Sequence, residues 1–389
     1  MEQVKQPIWT KDFILITLVN LLIFCGFQML LPTLPIYVKA LGGADSVIGW
    51  LIGFATIAAL IIRPFSGIAL DKLGRKGVLL VGIGAIAVVT LAYMWFPVVG
   101  IILTIRFLHG FGWGIASTAS NTVASDVIPK IRFGEGMGFF SLSSSLAMAL
   151  APGLGLWVLS AFQITGLTLL SAGFGVAALI LAFFIRYHKV EPQTAAKAKL
   201  SPYERASLKP TAIMFFISAS YGSITGFISL YAVARGISNI GIFFMVFAAA
   251  MLISRPFFGR LIDRHGFSAA VYPGLLLLIA ALLVLHLAAA LPLFLLAAVL
   301  YGVGFGATQS SLQTMSVLQA PKHRLGAANA TFFTGFDGGI GFGSVMAGII
   351  ASSLGYSRMY LAFSLLPILA GLLYFFIAGK AGSKTKNHI

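Results

Sequence analysis

Two charged side chains stand well inside long apolar segments of this sequence, and they are its first candidates for chemistry. They are Arg106 and Asp337. A charge at the bilayer centre costs about 2.5–3.5 kcal/mol on insertion scales, so such residues usually face the protein interior and act in function. A carboxylate withdrawn from water holds its proton more readily and can exchange it near neutral pH. The sequence therefore predicts Asp337 as a protonation site, and Arg106 as a group that couples protons or contacts an anionic substrate.

Both residues also have simpler interpretations, which the sequence leaves open. Asp337 could recognise a cation or form a structural ion pair, and Arg106 could bond backbone carbonyls of a broken helix. Polar side chains at steps of three or four share one helix face with Arg106, and they are His109, Trp113, Ser117 and Ser120. His109 is either part of this functional stripe or a buried imidazole with its bonds satisfied.

Acidic residues are scarce, since there are ten in the chain. Glu135, at the start of the fifth apolar segment, is the second candidate for protonation, with a helix N-terminal charge as its alternative. The first and seventh apolar segments contain no acidic residue. Cation capture would then depend on Asp337, and Arg106 favours an anionic or zwitterionic substrate.

Other polar residues inside apolar segments are candidates for the wall of a cavity. Their alternative role is hydrogen bonding between helices, as small and polar residues do in membranes. The set is Asn20, Gln28, Trp113, Asn121, Tyr221, Tyr231, Gln309, Gln313 and Thr334.

The composition indicates a membrane protein with many spans. The chain is 59% hydrophobic and 9% charged, against about 25% charged residues in soluble domains. We count about twelve segments near the ~20 residues that a bilayer requires. The net charge of +16 does not indicate nucleic acid, because most basic residues lie in loops on one side. That asymmetry predicts that both termini are cytoplasmic. The expected location is the plasma membrane of a bacterium.

The chain carries an internal repeat at an offset of 192 residues, for example Arg63 with Arg255. The fold expected from it is an all-α membrane protein of twelve transmembrane helices in two pseudo-symmetric six-helix bundles, related as parallel repeats. The bundles are predicted at 1–186 and 210–389, joined by a cytoplasmic linker at 187–209. Further pairs in the same register are Gly67 with Gly259, Asp71 with Asp263, Gly74 with Gly266, and Gly110, Gly112 and Gly114 with Gly302, Gly304 and Gly306.

Three motifs resemble those of the major facilitator superfamily. One is the charged turn Gly67-x-x-x-Asp71-Lys72-x-Gly74-Arg75-Lys76, which resembles the loop 2–3 signature, with a weaker copy at Gly259–Gly266. Another is Arg106-x-x-x-Gly110-x-Gly112, similar to the family's Arg motif. The third, Ala147-x-x-x-Ala151-Pro152-x-x-Gly155, is similar to the antiporter motif of the drug:proton branch, with Ala at two Gly positions and Leu156 at the final Gly. Pro152 and Gly155 are expected to bend this segment.

The resemblance implies a cytoplasmic gate built on the charged turn. Asp71 is expected near a helix N-terminus or basic side chains, and Asp126 is expected to pair with Arg75 or Lys76. The alternative is a topology signal with surface ion pairs, each contributing about 0–1 kcal/mol. The predicted gate set is Gly67, Asp71, Lys72, Gly74, Arg75, Asp126, Asp263 and Arg264.

The remaining expectations concern energy source and partners. The glycine clusters have no preceding strand and no following Lys-Ser/Thr, which excludes a phosphate-binding loop. We therefore expect no cofactor, and a proton gradient as the energy source. The sequence has neither a His/Asp/Glu metal cluster nor a Ser–His–Asp set at membrane depth, so we expect no metal and no catalytic activity. The remote alternative is a membrane-embedded enzyme or receptor. The single cysteine, Cys25, excludes an internal disulfide. The expected function is proton-coupled export of a small amphiphilic drug or secreted metabolite, such as a metal chelator, by a monomer in the lipid bilayer. Proton-coupled uptake of a small organic solute is the alternative.

Overall fold

The chain is described by a computed structural model covering residues 7–129, 133–187, 203–320 and 325–381. These residues form helices joined mostly by short turns, with no β-strand in the ranges just given. Short 3₁₀ turns occupy Ala92–Met94 and Arg205–Ser207. The α-helices are α1 (Lys11–Ala40), α2 (Asp45–Leu73), α3 (Arg75–Leu91), α4 (Val99–Val127), α5 (Phe133–Phe183), α6 (Leu208–Ala234), α7 (Gly241–His265), α8 (Ser268–Leu287), α9 (Leu291–Leu318), α10 (Leu325–Phe363) and α11 (Leu365–Ala381).

Ten helices in the described part of the chain are long and apolar enough to cross a membrane. Their hydrophobicity has no one-sided amphipathic pattern, and large apolar side chains such as Phe257, Leu276 and Phe376 are exposed. In water such a surface would be unfavourable, whereas in a bilayer it faces lipid. The sequence prediction of an all-helical membrane protein is confirmed.

Two of the long helices are interrupted by a residue with a non-helical backbone. In α5 this residue is Gln163, with φ 57° and ψ −167°, and in α10 it is Gly355, with φ 78° and ψ 165°. That backbone region is essentially restricted to glycine, because a Cβ atom is crowded there. The two residues are 192 positions apart in the sequence, which is the offset of the repeat.

The helices are grouped into two compact units whose boundary passes through α1 and α2. The first unit comprises Met1–Thr33 and Ile57–Leu200, and the second comprises Leu34–Thr56 and Ser201–Ile389. In the first unit α3 packs on α4 and α5. In the second unit α6 packs mainly on α10, and α9 packs on α7 and α8.

Inside each unit, close helix contacts recur in the register of the repeat. A Cβ atom added to Gly114 would lie 3.0 Å from the backbone of Ala59, and one added to Gly306 would lie 3.1 Å from Met251. Ala59 and Met251 are themselves 192 positions apart. Small residues therefore let the corresponding helix pairs approach closely in both units.

The charged turns also share a backbone geometry. Gly74, between α2 and α3, has φ 90° and ψ 162°, and Gly266, between α7 and α8, has φ 79° and ψ 174°. Glycine is required at both positions because a side chain would strain this backbone. The sequence therefore dictates equivalent sharp turns after α2 and α7.

The end of the predicted linker is packed against the second unit. Glu204 is 7% exposed, and its backbone N–H donates to Thr331 Oγ1 at 2.8 Å. Ser207 is fully buried and donates from Oγ to the Ser316 carbonyl at 3.0 Å. These residues at the end of the predicted linker are therefore fixed to α9 and α10 by hydrogen bonds. Residues 188–202 lie outside the described ranges.

Candidate functional site

The first unit contains a buried pair of basic side chains on α4. Arg106 is 1% exposed and His109 is 0% exposed. A guanidinium nitrogen of Arg106, Nη1, lies 3.2 Å from His109 Nδ1. They meet because residues three positions apart are neighbours on a helix surface. α4 is continuous through both residues, so the broken helix considered from the sequence is not what holds Arg106.

Aromatic rings enclose this pair. The Arg106 guanidinium carbon lies 4.6 Å from the centre of the Phe27 ring, in the arrangement of a cation–π contact. Phe27 stacks on Trp113 with ring centres 4.0 Å apart. Tyr93 is buried, and its ring centre lies 6.2 Å from that of His109. Trp113, which the helical stripe includes, is thus part of this aromatic enclosure, while Phe27 and Tyr93 were not in the predicted set.

Three polar atoms in and beside this cluster lack hydrogen-bond partners among the described residues, and they are the Tyr93 hydroxyl, His109 Nε2 and Ser117 Oγ. All three side chains are buried. Most buried polar atoms in proteins are paired, so an unpaired one requires an explanation such as a ligand contact. The α4 stripe is therefore the strongest candidate for a binding or coupling site in the first unit.

Asn20 forms hydrogen bonds between helices. Its Nδ2 donates to Ser143 Oγ at 2.9 Å, and its Oδ1 accepts from Ser120 Oγ at 3.0 Å. This network joins α1, α4 and α5, which is the helix-to-helix alternative stated for such residues. Asn121 donates to the Ser117 carbonyl at 2.9 Å. Gln28, also on α1, is buried.

In the second unit Asp337 and Thr334 are half-buried on α10. Asp337 precedes Gly341 by one helical turn, so the two residues share a face. A Cβ atom at Gly341 would lie 2.6 Å from Thr56, so this face packs on α2. The face of α10 that carries Asp337 therefore packs against protein at Gly341, one helical turn after Asp337.

The predicted tyrosines have different surroundings. Tyr221 stacks on Phe305, with ring centres 4.7 Å apart, and its buried hydroxyl has no hydrogen-bond partner in the described part of the chain. Tyr231 donates its hydroxyl to the Ala288 carbonyl at 2.9 Å and accepts from Arg235 at 3.3 Å. Tyr231 is thus held in a structural contact, whereas Tyr221 keeps a free polar atom in an aromatic cluster.

Gln309 and Gln313 lie on α9, the first buried and the second half-buried. Gln309 Oε1 accepts a hydrogen bond from Arg255 Nη2 at 3.3 Å. Arg255 belongs to the repeated charged segment, but its contact with Gln309 was not predicted from the sequence. The signal was available, because a charge inside an apolar segment requires an internal partner.

The residues of the predicted gate are described in part. Arg75 Nε donates to Asp126 Oδ2 at 2.9 Å, so the predicted pairing of these two residues is present. Arg75 Nη1 also donates to the Leu70 carbonyl at 2.7 Å, which ties α3 to the end of α2. Gly67 has open space where a side chain would be, and Arg264 is exposed. The side chains of Asp71, Lys72, Asp263 and Glu135 lie outside what the structure describes.

Pro152 and Gly155 lie within α5, where the non-helical residue is Gln163. A Cβ atom at Gly155 would lie 2.6 Å from the Met29 carbonyl oxygen. Gly155 therefore permits close packing of α5 on α1 in the first unit.

A polar cluster that the sequence did not reveal joins three helices of the second unit. Lys39 Nζ lies 2.7 Å from Asp45 Oδ1, and the Tyr356 hydroxyl donates to the same oxygen at 3.1 Å. Tyr356 follows Gly355, the interruption in α10. Such a contact joins residues that are 311 positions apart in sequence, so no local pattern could predict it.

No group of three or more His, Cys, Asp or Glu side chains able to hold a metal ion occurs within the four described ranges. The chemistry of the candidate site is thus that of a cationic and a neutral hydrogen-bond donor among aromatic rings. Such a site can bind an anion or position a proton, but it offers no metal ligand set.

Comparison with known proteins places the chain in a family. The sequence profile of the Major Facilitator Superfamily matches residues 16–266 and 236–388. An MFS-type transporter of Methanocaldococcus jannaschii, MJ1560, is 23% identical, covering 93% of this chain and 97% of its own length. The staphylopine export protein of Staphylococcus aureus is 22% identical, covering 93% of this chain and 95% of its own.

A solved structure shows the same fold at low sequence identity. A bacterial homologue of the human lysosomal transporter Spinster superposes with a TM-score of 0.76 at 13% identity, covering 96% of this chain and 97% of its own. Because the family profile spans most of the sequence and the helices and motifs agree with it, this chain belongs to the Major Facilitator Superfamily of multi-pass membrane transporters and is not an enzyme.

Proposed function

We propose that the protein is a proton-coupled exporter of a small amphiphilic molecule, a drug or a secreted metabolite such as a metal chelator. The observation that carries the proposal is the Arg106–His109 pair, fully buried inside an apolar helix. A charge in that position costs free energy, so it is usually kept for a function. The protein is powered by the proton gradient without a cofactor, and it acts as a monomer in the plasma membrane with both termini in the cytoplasm.

The proposed architecture has twelve spans in two pseudo-symmetric bundles. It is supported by the interruptions at Gln163 and Gly355, each of which would divide one long helix into two spans. It is also supported by the equivalent turns at Gly74 and Gly266. Two similar bundles are the arrangement in which a transporter alternates access to a site between them.

In this mechanism Asp337 carries the proton and Arg106 contacts the substrate or adjusts the coupling. Protonation removes the charge of Asp337 and so changes the cost of keeping it away from water. Substrate and proton are then exchanged because each stabilises a different conformation of the transporter. Glu135 remains the second candidate for the protonated group.

The gate proposed at the charged turn is supported by the Arg75–Asp126 ion pair. Both side chains are partly exposed, so the pair alone contributes only about 0–1 kcal/mol. Its role is then to hold α3 against α4 at the turn, so that Asp71 and Lys72 are positioned for the gate. The copy at Asp263 and Arg264 would serve the second bundle.

Export, rather than uptake, is favoured by two observations. The α5 segment containing Pro152 and Gly155 is similar to an antiporter motif, and one relative along nearly the whole chain is named as an export protein. Proton-coupled uptake of a small organic solute is the second candidate. It uses the same fold and the same buried charges with the opposite direction of substrate movement.

The direction of flux separates these candidates. A thermal-shift screen of purified protein against drugs, metal chelators and metabolites supplies the substrate, and flux is then measured in inverted membrane vesicles with an acidified lumen. Proton exit from the lumen drives substrate in if the protein is an antiporting exporter. A symporter would drive substrate out of the lumen. Vesicles without the protein are the control, and absence of any proton-driven flux would refute the proposed function.

A further inference from the structure

We propose that Arg106 and His109 together form a subsite for a carboxylate, in which His109 acts as a neutral donor through Nε2–H. The proposal rests on the proposed transport function and names the class of substrate: an amphiphilic carboxylate. His109 was predicted from the sequence as a coupling or substrate residue, and the structure assigns it the second role.

The first step is the protonation state of the imidazole. Arginine has donors and no acceptor, and it stays charged in proteins. The contact of Arg106 Nη1 with His109 Nδ1 at 3.2 Å therefore requires Nδ1 to accept. A neutral imidazole that accepts at Nδ1 carries its proton at Nε2. His109 is thus fixed as a neutral ring with an N–H pointing away from the guanidinium.

The second step is the lack of an acceptor for that N–H. His109 Nε2 is buried and has no hydrogen-bond partner among the residues described here. The rings of Phe27 and Tyr93 have their centres 5.5 Å and 6.2 Å from that of His109. The Tyr93 hydroxyl accepts no hydrogen bond from this N–H, because it too has no partner among the described residues. An N–H left unpaired in such surroundings is unfavourable. An acceptor brought by a ligand would remove that cost.

The third step is the chemical class of the ligand. Once Nδ1 is occupied, the Arg106–His109 pair presents donors and no acceptor, so an ammonium group would find no hydrogen-bond partner on it. A carboxylate oxygen could accept from the imidazole N–H. The guanidinium on the other side of the imidazole would favour its negative charge. The stacked rings of Phe27 and Trp113 favour an apolar group next to the carboxylate.

The test compares binding of matched small probes to the purified full-length protein in nanodiscs. The probes are benzoate, indole-3-acetate and octanoate, with benzamide and benzylamine as neutral and cationic counterparts. Titration calorimetry is expected to show binding of at least one carboxylate and preference over its amide. His109→Leu is expected to weaken carboxylate binding about 10- to 100-fold, as for one lost charge-assisted hydrogen bond, while benzamide binding changes little.

Two variants serve as controls. His109→Gln keeps a side-chain N–H donor and should retain carboxylate binding within about threefold, since the bond is replaced rather than lost. Tyr374→Phe removes a hydroxyl that bonds Ser268 in the second unit and should leave the carboxylate preference unchanged. If His109→Leu does not fold, the comparison of wild type with His109→Gln and the spectroscopic test below still decide.

Nitrogen-15 NMR of histidine-labelled protein supplies a readout that a structural role would not change. The His109 signals, identified by their loss in His109→Gln, should show the Nε2–H tautomer and should shift when a carboxylate is added. A protonated Nδ1, no binding of any carboxylate, or equal losses of carboxylate and amide in His109→Leu would overturn the proposal.

Failure of this proposal is distinguishable from failure of the proposed function. Proton-driven flux with no dependence of carboxylate preference on His109 would refute the subsite and leave the transport function intact. Carboxylate binding that depends on His109, without proton-driven flux, would support the subsite and refute the coupling.

Discussion

The Asp45 cluster allows one prediction to be worked out in detail. Asp45, in the first turn of α2, binds Lys39 at 2.7 Å and accepts from the Tyr356 hydroxyl at 3.1 Å. The Asp45 side chain is 12% exposed, whereas that of Lys39 is 45% exposed. The bond to Tyr356 therefore lies in the more protected part of the cluster, and it fastens segment 34–56 to α10 within the second unit.

The magnitude follows from these surroundings. A hydrogen bond to a charged group contributes about 1.5–3 kcal/mol when it is well shielded, and an exposed ion pair contributes about 0.2–1 kcal/mol. The bond between Asp45 and Tyr356 is only partly shielded, so we expect a coupling free energy of about 1–2 kcal/mol. The coupling of Asp45 with Lys39 should be about 0.5 kcal/mol or less.

A double-mutant cycle measures this coupling. The free energies of unfolding of Asp45→Asn, Tyr356→Phe and the double variant are obtained by titration with denaturing detergent. The cycle removes effects of Asp45 that Tyr356 does not share, such as its charge at the start of α2. Tyr374→Phe is the matched control, because its hydroxyl bonds Ser268 elsewhere in the unit.

Additive effects of Asp45→Asn and Tyr356→Phe would refute the reasoning. So would a coupling of the same size between Asp45→Asn and the Tyr374→Phe control. If the coupling of Asp45→Asn with Lys39→Gln is larger than its coupling with Tyr356→Phe, side-chain exposure does not determine the strength of these two bonds.

Further predictions concern the helix interruption, the close contacts and the charged turn. Gln163→Gly should raise the unfolding free energy by about 1 kcal/mol. The change relieves a backbone strain of about 1–3 kcal/mol, and the entropy cost of glycine offsets about 0.5–1 kcal/mol of this gain. An unchanged melting temperature would contradict this expectation. Gly306→Ala should lower the unfolding free energy by about 1–3 kcal/mol, because the added methyl group overpacks the contact with α7. Gly259 has open space around it, so Gly259→Ala should be nearly neutral or stabilising. Equal melting temperatures of the two variants would contradict the packing argument. Arg75→Gln should cost about 1 kcal/mol or less, and high salt should reduce its difference from wild type if the partly exposed bond to Asp126 is responsible.

The helices, the repeat and the Arg106 stripe could be predicted because each depends only on the spacing of residue types along the sequence. Apolar segments of bilayer length identify spans whatever they pack against. The offset of 192 depends only on identities along the chain. Steps of three and four residues place Arg106, His109 and Trp113 on one face of any helix, and the structure brings these three side chains together.

Apart from the Arg75–Asp126 pair, the partners of polar residues were not predicted, because they depend on contacts between distant segments. Asn20 was assigned to a cavity wall, yet it joins helices through Ser120 and Ser143. Phe27 was not selected because an aromatic residue in an apolar helix gives no signal of its own. A break between two spans was expected near Gln163, but its left-handed backbone was not, because a non-glycine residue in that region contradicts local preference.

The most direct test of the account is proton-driven flux through the Asp337→Asn variant. Inverted vesicles with an acidified lumen would contain wild type or variant at equal amounts, with a substrate from the thermal-shift screen. We expect wild type to accumulate substrate, and the variant to equilibrate it without accumulation, because a neutral amide cannot carry the proton. Accumulation by Asp337→Asn at the wild-type level would contradict the central claim that the Asp337 carboxylate couples proton movement to transport.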